Sequence, residues 1–162
     1  MTDTASASTY TVERSATINA DPAHVYAQVV DFHRWTVWSP WEELDPHLQR
    51  TYSGPEAGVG ATYTWKGNRK AGEGRMEITR ADEPETVVVD LQFLKPFRST
   101  STTRFTFAPT AEGTQVTWTM TGHKTRMTKV MGIFTSMDKL IGPDFEKGLS
   151  RLRSVSEAPS PS

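Results

Sequence analysis

The sequence predicts an α+β domain in which a curved antiparallel sheet of about seven strands wraps around a long C-terminal helix. Two patterns carry this prediction. Between Met127 and Val155, apolar residues recur every three or four positions, which indicates an amphipathic helix with a charged opposite face. Before that stretch, apolar and polar residues alternate over most of the chain, as they do in strands with one buried face. Because the connections are of turn length, the strands are expected to form a meander.

The composition limits the classes of function. A chain of 162 residues is long enough for one domain with its own core. The 18 Lys and Arg nearly balance the 19 Asp and Glu, so no bulk charge favours nucleic acid or an anionic membrane. Cysteine is absent, which excludes disulfides and thiolate chemistry. No histidines have metal-site spacing, so we expect no metal and no cofactor.

The two ends differ from the rest of the chain in composition. Residues 1–8 and 158–162 are small and polar, so both are predicted to be disordered, leaving one domain over residues 9–157. The N-terminus lacks the basic and apolar stretches of a signal peptide, and the charged helix face argues against a membrane span. We therefore expect a cytoplasmic protein without stable membrane insertion. The oligomeric state is not predicted.

The first third of the chain combines a strand, a helix and an aromatic segment. Alternation predicts a strand over Tyr10–Ile18, and Pro22 suits the first position of a helix that runs to about Val30. Tryptophans at 35, 38 and 41 then follow one another at steps of three. A proline between the last two limits this segment to one or two short helical turns, which we expect between the first two strands.

The middle of the chain reads as strands with one inward row of side chains. Leu48–Tyr52 predicts the first of these strands. Along the next strand but one, charged Glu73, Arg75 and Glu77 alternate with the inward row and should face outward. The inward rows predicted for the later strands are Val59, Ala61, Tyr63 and Trp65, then Gly74, Met76 and Ile78, then Val87, Val89, Leu91 and Phe93, then Ser101, Thr103, Phe105 and Phe107, then Val116, Trp118 and Met120.

The C-terminal helix contains one irregularity, and its distance from the sheet predicts a cavity. Gly142-Pro143 interrupts the helical pattern, and we expect a kink or a short break there. A helix axis stands about 10 Å from the layer that it covers. Because the inward rows mix small side chains with large ones, they are not expected to fill that space, and the sequence predicts an apolar cavity between sheet and helix.

Four motifs resemble a known family. They are the segment around Trp35-x-x-Trp-Ser-Pro-Trp41, the strand Gly58–Asn68, the strand Gly72–Ile78 and the helix segment Asp144–Leu149. Together with the element order, they make residues 9–157 similar to the helix-grip fold of the SRPBCC or START-like superfamily, and more narrowly to its polyketide cyclase/dehydrase-like branch. The resemblance implies a deep apolar cavity whose entrance lies near the N-terminal half of the helix. The superfamily includes cyclases, lipid carriers and hormone receptors.

Candidate ligand contacts follow from the inward rows, the aromatic segment and the helix face. His123, just before the helix, would lie near the implied entrance and act as a general base, or it is an exposed loop residue. The tryptophan cluster forms either an aromatic wall or a plug of core, and the helix methionines either a soft binding surface or gap filler. The predicted contacts are Trp35, Trp38, Tyr63, Trp65, Met76, Phe93, Ser101, Thr103, Phe105, Trp118, His123, Met127, Met131 and Phe134.

Three functional hypotheses remain open at this level. The first is carriage or sensing of a small hydrophobic, aromatic or lipid-like molecule, which requires no catalysis. The second, implied by the resemblance, is a cyclase or dehydratase that moves protons inside the same cavity. It ranks lower because few inward polar groups are predicted, and a structure with His123 or a carboxylate directed inward beside Tyr63 would reverse that ranking. The third is an interaction module whose core is filled by its own side chains.

Overall fold

The computed structural model describes residues 9–42, 45–69, 71–95, 98–123 and 137–157. Within these ranges a seven-stranded antiparallel sheet has the order β1-β7-β6-β5-β4-β3-β2. Strands β2 to β7 therefore form the predicted meander, and β1 closes the sheet beside β7. The strands are β1 (Thr9–Ile18), β2 (Gln49–Ser53), β3 (Thr62–Lys66), β4 (Glu73–Asp82), β5 (Thr86–Lys95), β6 (Ser99–Thr110) and β7 (Gly113–His123).

Helices connect β1 to β2 and follow β7. α1 spans Pro22–Val29, a 3₁₀ helix spans Phe32–Val37, and α2 spans Met137–Glu157 and packs against β1. The earlier part of the predicted C-terminal helix, residues 127–136, lies outside the described residues. None of the helices within the described ranges is long and apolar enough to cross a membrane.

Of the two alternatives expected at Gly142-Pro143, the break is wrong, because α2 continues through Pro143 without interruption, and the kink stays a prediction. A proline removes one backbone hydrogen bond from the helix, and here that loss falls in an early turn. The glycine at position 142 is explained by a contact with β1. The Arg14 guanidinium, projecting from the inner face of β1, occupies the space that a Cβ at this position would need. Arg14 also forms a 2.8 Å ion pair with Glu146 on the next turn of α2, so this contact joins the helix to β1.

The aromatic segment is anchored to the end of α1. The Trp35 indole donates to the Val29 carbonyl at 2.8 Å, and the Trp38 indole donates to the Gln28 carbonyl at 3.0 Å. Carbonyls in the last turn of a helix have no partner within that helix, so these two indoles supply the missing donors. The tryptophans thereby fix the chain that leads into β2 against the inner face of the sheet.

Inner-face residues form one continuous core. The alternation of β4 follows the prediction: Ile78 is buried on the inner face, whereas Arg75 is exposed and pairs with Glu77 at 3.0 Å. Side chains of α1, the 3₁₀ helix and α2 complete the core. Its most deeply buried members include Val12, Ile18, Val25, Val29, Phe32, Trp38, Val87, Val89, Phe105, Phe107, Val116, Phe145 and Leu152.

Candidate functional site

A cavity of about 410 Å³ lies between the inner face of the sheet and α2. This volume is within the range of small-molecule pockets. Most of the wall is aromatic or aliphatic, and polar groups occur at a few points. The sheet contributes Tyr63, Trp65, Met76, Leu91, Phe93, Thr103, Trp118 and Met120; α2 contributes Ile141, Asp144, Phe145 and Lys147; the remaining wall is Trp35, Ser39, Pro40, Trp41, Glu42, Leu48 and Ala71.

Half of the residues predicted from sequence lie in this wall. They come from the aromatic segment and from alternate positions of five strands, which share a face because successive strand side chains point to opposite sides. The predicted residues in the wall are Trp35, Tyr63, Trp65, Met76, Phe93, Thr103 and Trp118.

Three predicted residues lie outside the wall, which corrects the expectation for them. Trp38 and Phe105 have no exposed surface. Trp38 packs edge-on against both Phe105 and Trp118, with the Trp118 ring centroid 5.7 Å away, so other rings separate it from the cavity. Ser101 is on the inner face, but its hydroxyl bonds with Tyr10 at the β1 side of the sheet. The tryptophan cluster thus serves both purposes: Trp38 belongs to the core, whereas Trp35 and Trp41 line the cavity.

Four predicted contacts fall where side chains are not described. His123 is the last residue of β7 and pairs with Thr9 through the backbone, but its side chain lies outside the described part. Met127, Met131 and Phe134 lie outside the described residues altogether.

The sequence did not predict the main polar feature of the cavity, a cluster of Glu42, Arg50 and Tyr63. Glu42 Oε2 accepts hydrogen bonds from Arg50 Nε and Nη2, both at 2.7 Å. Glu42 Oε1 accepts from the Tyr63 hydroxyl at 3.1 Å. The Glu42 side chain is 10% exposed and that of Arg50 is 31% exposed. Glu42 is thus an inward carboxylate beside Tyr63.

The protonation of Tyr63 follows from its surroundings. Burial raises the pKa of Tyr63 well above its usual value, and the neighbouring Glu42 carboxylate raises it further. Burial likewise raises the pKa of Tyr52, whose ring packs edge-on against Tyr63 with centroids 5.3 Å apart. Tyr63 therefore stays protonated at neutral pH and acts as the donor to Glu42.

Loop contacts fix the rim beside this cluster. Asp45 is 9% exposed; its carboxylate accepts from the His47 amide at 2.8 Å and from the Asn68 amide at 2.9 Å. This joins the segment after Glu42 to the connection between β3 and β4. The Asn68 side chain in turn accepts from the Ala71 amide at 3.0 Å. These hydrogen bonds to backbone amides fix the rim of the cavity, and they therefore help to hold the neighbouring wall residues in position.

Trp65 forms a fixed aromatic wall at this end. Its indole donates to the Ala71 carbonyl at 2.9 Å, and its ring meets Phe93 edge-on with centroids 5.4 Å apart. The ring also lies over Gly74 on the neighbouring strand, where a Cβ would collide with it and approach the Gln92 carbonyl to 2.6 Å. Glycine at position 74 thus allows the indole to lie close against β4.

The site combines apolar burial with a carboxylate, Glu42, whose geometry is fixed by Arg50 and Tyr63. Glu42 Oε1 keeps a lone pair beyond the one that receives the Tyr63 hydroxyl, so it can accept a hydrogen bond or a proton from a bound molecule. No group of three or more metal-binding side chains occurs among the described residues. The arrangement of Glu42, Arg50 and Tyr63 offers hydrogen bonding to a bound molecule and proton transfer.

The family is shown by a sequence profile that matches residues 9–157 and is described as "Polyketide cyclase / dehydrase and lipid transport". The chain belongs to this family. No curated protein is significantly similar to this chain in sequence.

Solved structures similar to this family member share its fold. The di-domain ARO/CYC StfQ from the steffimycin biosynthetic pathway is 13% identical with a TM-score of 0.69, over 96% of this chain and 53% of that one. The KanY protein is 22% identical with a TM-score of 0.63, over 92% and 98% of the two chains. Protein CV1439 from Chromobacterium violaceum is 15% identical with a TM-score of 0.66, over 92% and 98%. The predicted helix-grip fold is confirmed.

Proposed function

We propose that the protein binds a small, largely apolar molecule in the cavity between the sheet and α2. The observation that carries this proposal is the cavity itself, about 410 Å³ in volume and lined mainly by aromatic and aliphatic side chains. Burial of apolar ligand surface there contributes about 25 cal/mol per Å² before the costs of association are subtracted. The third hypothesis, an interaction module with a filled core, has no support in this cavity.

Binding of Nile red, an apolar fluorescent dye, tests the proposal. We expect saturable binding with a blue shift of the dye emission. Leu91→Trp places a large ring in the wall and should weaken binding at least about tenfold, equivalent to about 1.4 kcal/mol. Val59→Trp is the matched control, because Val59 is 59% exposed and does not line the cavity.

The outcomes separate cavity binding from surface adsorption. Equal weakening by both tryptophan variants, or by neither, would show that the dye lies elsewhere. Native mass spectrometry of protein isolated from its own host gives an independent reading. A carried ligand adds a mass that organic solvent removes.

A second candidate function is proton transfer on the bound molecule, as in a cyclase or dehydratase. Glu42 beside Tyr63 favours it, and this removes the reason for ranking an enzyme below a carrier. In the proposed step, the Glu42 carboxylate accepts a proton from the carbon next to a ligand carbonyl and leaves an enolate. Arg50 would stay hydrogen-bonded to Oε2, leaving Oε1 as the base. Binding is common to both functions.

Hydrogen–deuterium exchange at the α-carbon of β-tetralone, followed by NMR, tests this second function. A positioned general base contributes about 100-fold or more to a proton-transfer rate, so the protein should accelerate exchange and Glu42→Gln should abolish that acceleration. Glu77→Gln, on the outer face, should leave it unchanged. If wild-type protein binds β-tetralone without accelerating exchange, carriage stands and catalysis by Glu42 does not.

A further inference from the structure

Two polar groups on the sheet wall of the cavity have no hydrogen-bond partner within the described part of the chain. Thr103 lines the cavity and is 6% exposed, and its hydroxyl makes no side-chain hydrogen bond there. Trp118 also lines the cavity and is 1% exposed, and its buried indole Nε1 has no partner. A buried donor without a partner costs about 1–3 kcal/mol, so such groups are uncommon in folded proteins.

The two groups lie close to one another. Thr103 on β6 pairs with Met120 on β7, and Phe105 pairs with Trp118. Thr103 and Trp118 are therefore diagonal neighbours on the inner face, with about 7 Å between their Cα atoms. Two other tryptophans in the wall differ: the indoles of Trp35 and Trp65 each donate to a backbone carbonyl. Of these three indoles, only that of Trp118 lacks a partner among the described residues.

This pair and the Glu42 cluster offer opposite hydrogen-bonding capacity. Glu42 is an acceptor, and the Tyr63 proton is already directed at it. An indole N–H only donates, and a threonine hydroxyl donates or accepts. A ligand hydroxyl therefore suits the Glu42 end, whereas a ligand carbonyl oxygen suits the Thr103 end.

We infer that Thr103, next to the buried Trp118 indole, is a second polar subsite, whose hydroxyl donates a hydrogen bond to a carbonyl oxygen of the bound molecule. The inference rests on the proposed binding function and narrows its ligand class. In the sheet register, Tyr63 on β3 lies opposite Ser101 on β6, three strand spacings away. Thr103 is two residues further along β6. At ordinary strand spacing and rise per residue, the two polar points are about 16 Å apart along the sheet, and closer across its curve. The ligand of the proposed binding function is thus an elongated apolar molecule with a carbonyl near one end and a hydrogen-bond donor near the other. The proton transfer considered as the second function would need a further carbonyl at the Glu42 end.

Benzophenone and diphenylmethane test the subsite, because they differ only in a carbonyl in place of a methylene group. Affinities are measured by calorimetry for wild-type protein and for Thr103→Val, which removes the hydroxyl and preserves the side-chain shape. The variant should bind benzophenone roughly two- to twelve-fold more weakly, the range for one net hydrogen bond, and diphenylmethane equally well. Thr103→Ser should retain the preference. Thr102→Val, on the outer face of the same strand, is the matched control.

Light-induced crosslinking by bound benzophenone locates the carbonyl independently of affinity. Attachment to peptides of β6 or β7 supports the subsite, and attachment to β3 alone overturns it. Equal loss of both affinities in Thr103→Val, or loss of neither, also overturns the subsite while leaving the proposed function intact. If neither compound binds to wild-type protein, the proposed function fails and the subsite with it.

Discussion

The two ends of strand β5 have different surroundings, although the strand is apolar along its whole inner row. Val87 and Val89 have no exposed surface, whereas Leu91 and Phe93 are partly exposed and line the cavity. α1 packs across β5, β6 and β7 and covers the first end. At the other end the cover is α2 and the segment around Trp41, and the cavity lies between them and the inner face. Helix position, rather than residue type, therefore decides where the inner face is packed and where it is hollow.

The polar groups follow the same division. Glu42, Arg50 and Tyr63 lie at the hollow end, and the packed end is filled by aliphatic and aromatic side chains. A carboxylate that is 10% exposed is stabilised by its ion pair and hydrogen bond. The packed end thus supplies stability, whereas the hollow end supplies recognition. Substitutions at the two ends should separate these contributions.

The largest expected effect is a difference between two phenylalanines. Phe107 is 2% exposed and packs edge-on against Tyr26, so Phe107→Ala should lower the free energy of unfolding by about 3–5 kcal/mol. Phe93 borders the cavity, and Phe93→Ala should cost about 1 kcal/mol, because less buried surface is lost there. Urea denaturation measures both. Equal losses would contradict the division of the inner face into two ends.

Gly74→Ala is expected to displace the Trp65 ring at the hollow end without removing any side chain from the cavity wall. The new Cβ would collide with the Trp65 ring and the Gln92 carbonyl, so the free energy of unfolding should fall by about 1–3 kcal/mol. Displacement of the indole should also shift tryptophan emission and weaken Nile red binding. Arg75→Ala, the next residue and an outward one, should change neither property. Unchanged emission in Gly74→Ala would show that Trp65 is not held in this position.

Removing one partner of the Arg50–Glu42 ion pair should lower the free energy of unfolding more than removing both partners. Arg50→Met leaves the Glu42 carboxylate without its cation and should lower the free energy of unfolding by about 1–2 kcal/mol, less than for a fully buried pair. Adding Glu42→Gln should recover at least half of that loss. A double variant that is as unstable as the sum of the single variants would show that the two side chains are not coupled.

The smallest effect is a dependence of stability on alkaline pH. Burial raises the pKa of all four tyrosines, most strongly that of Tyr63, above the ordinary value of 10.0. A raised pKa in the folded state means that this stability is fully present below about pH 10 and is lost as pH rises further. Tyrosinate absorbance should therefore appear only above the ordinary tyrosine pKa of 10.0, and it should appear together with unfolding. Tyr63→Phe should reduce the pH dependence, and ionisation of a folded Tyr63 near pH 10 would contradict it.

The periodic parts of the chain explain why the fold was predictable. In β3 to β7 the period of two assigned side chains to a face, and that face includes Tyr63, Met76, Phe93, Thr103 and Trp118 of the wall. The same pattern did not separate wall from core, so it also selected Phe105. Burial along one row varies with the helix that covers it, and that distance is not encoded in the alternation.

Glu42 and Arg50, the charged pair that the sequence missed, lie outside the inward rows of the predicted strands. Glu42 follows the aromatic segment, and its place beside Tyr63 depends on contacts such as those of Asp45 to the Asn68 amide. Arg50 belongs to the edge strand β2, where register alone puts it opposite Trp65. A charged residue directly after three tryptophans was the one available signal for Glu42.

A sheet with one apolar face and an amphipathic helix that covers it could be predicted from the chain alone, because both patterns are local and repeat with the backbone period. The folded structure was needed to show where the inner face is hollow, which carboxylate enters that space and which buried donor lacks a partner. Those features depend on distances between segments far apart in the chain, and local periodicity contains no information about such distances.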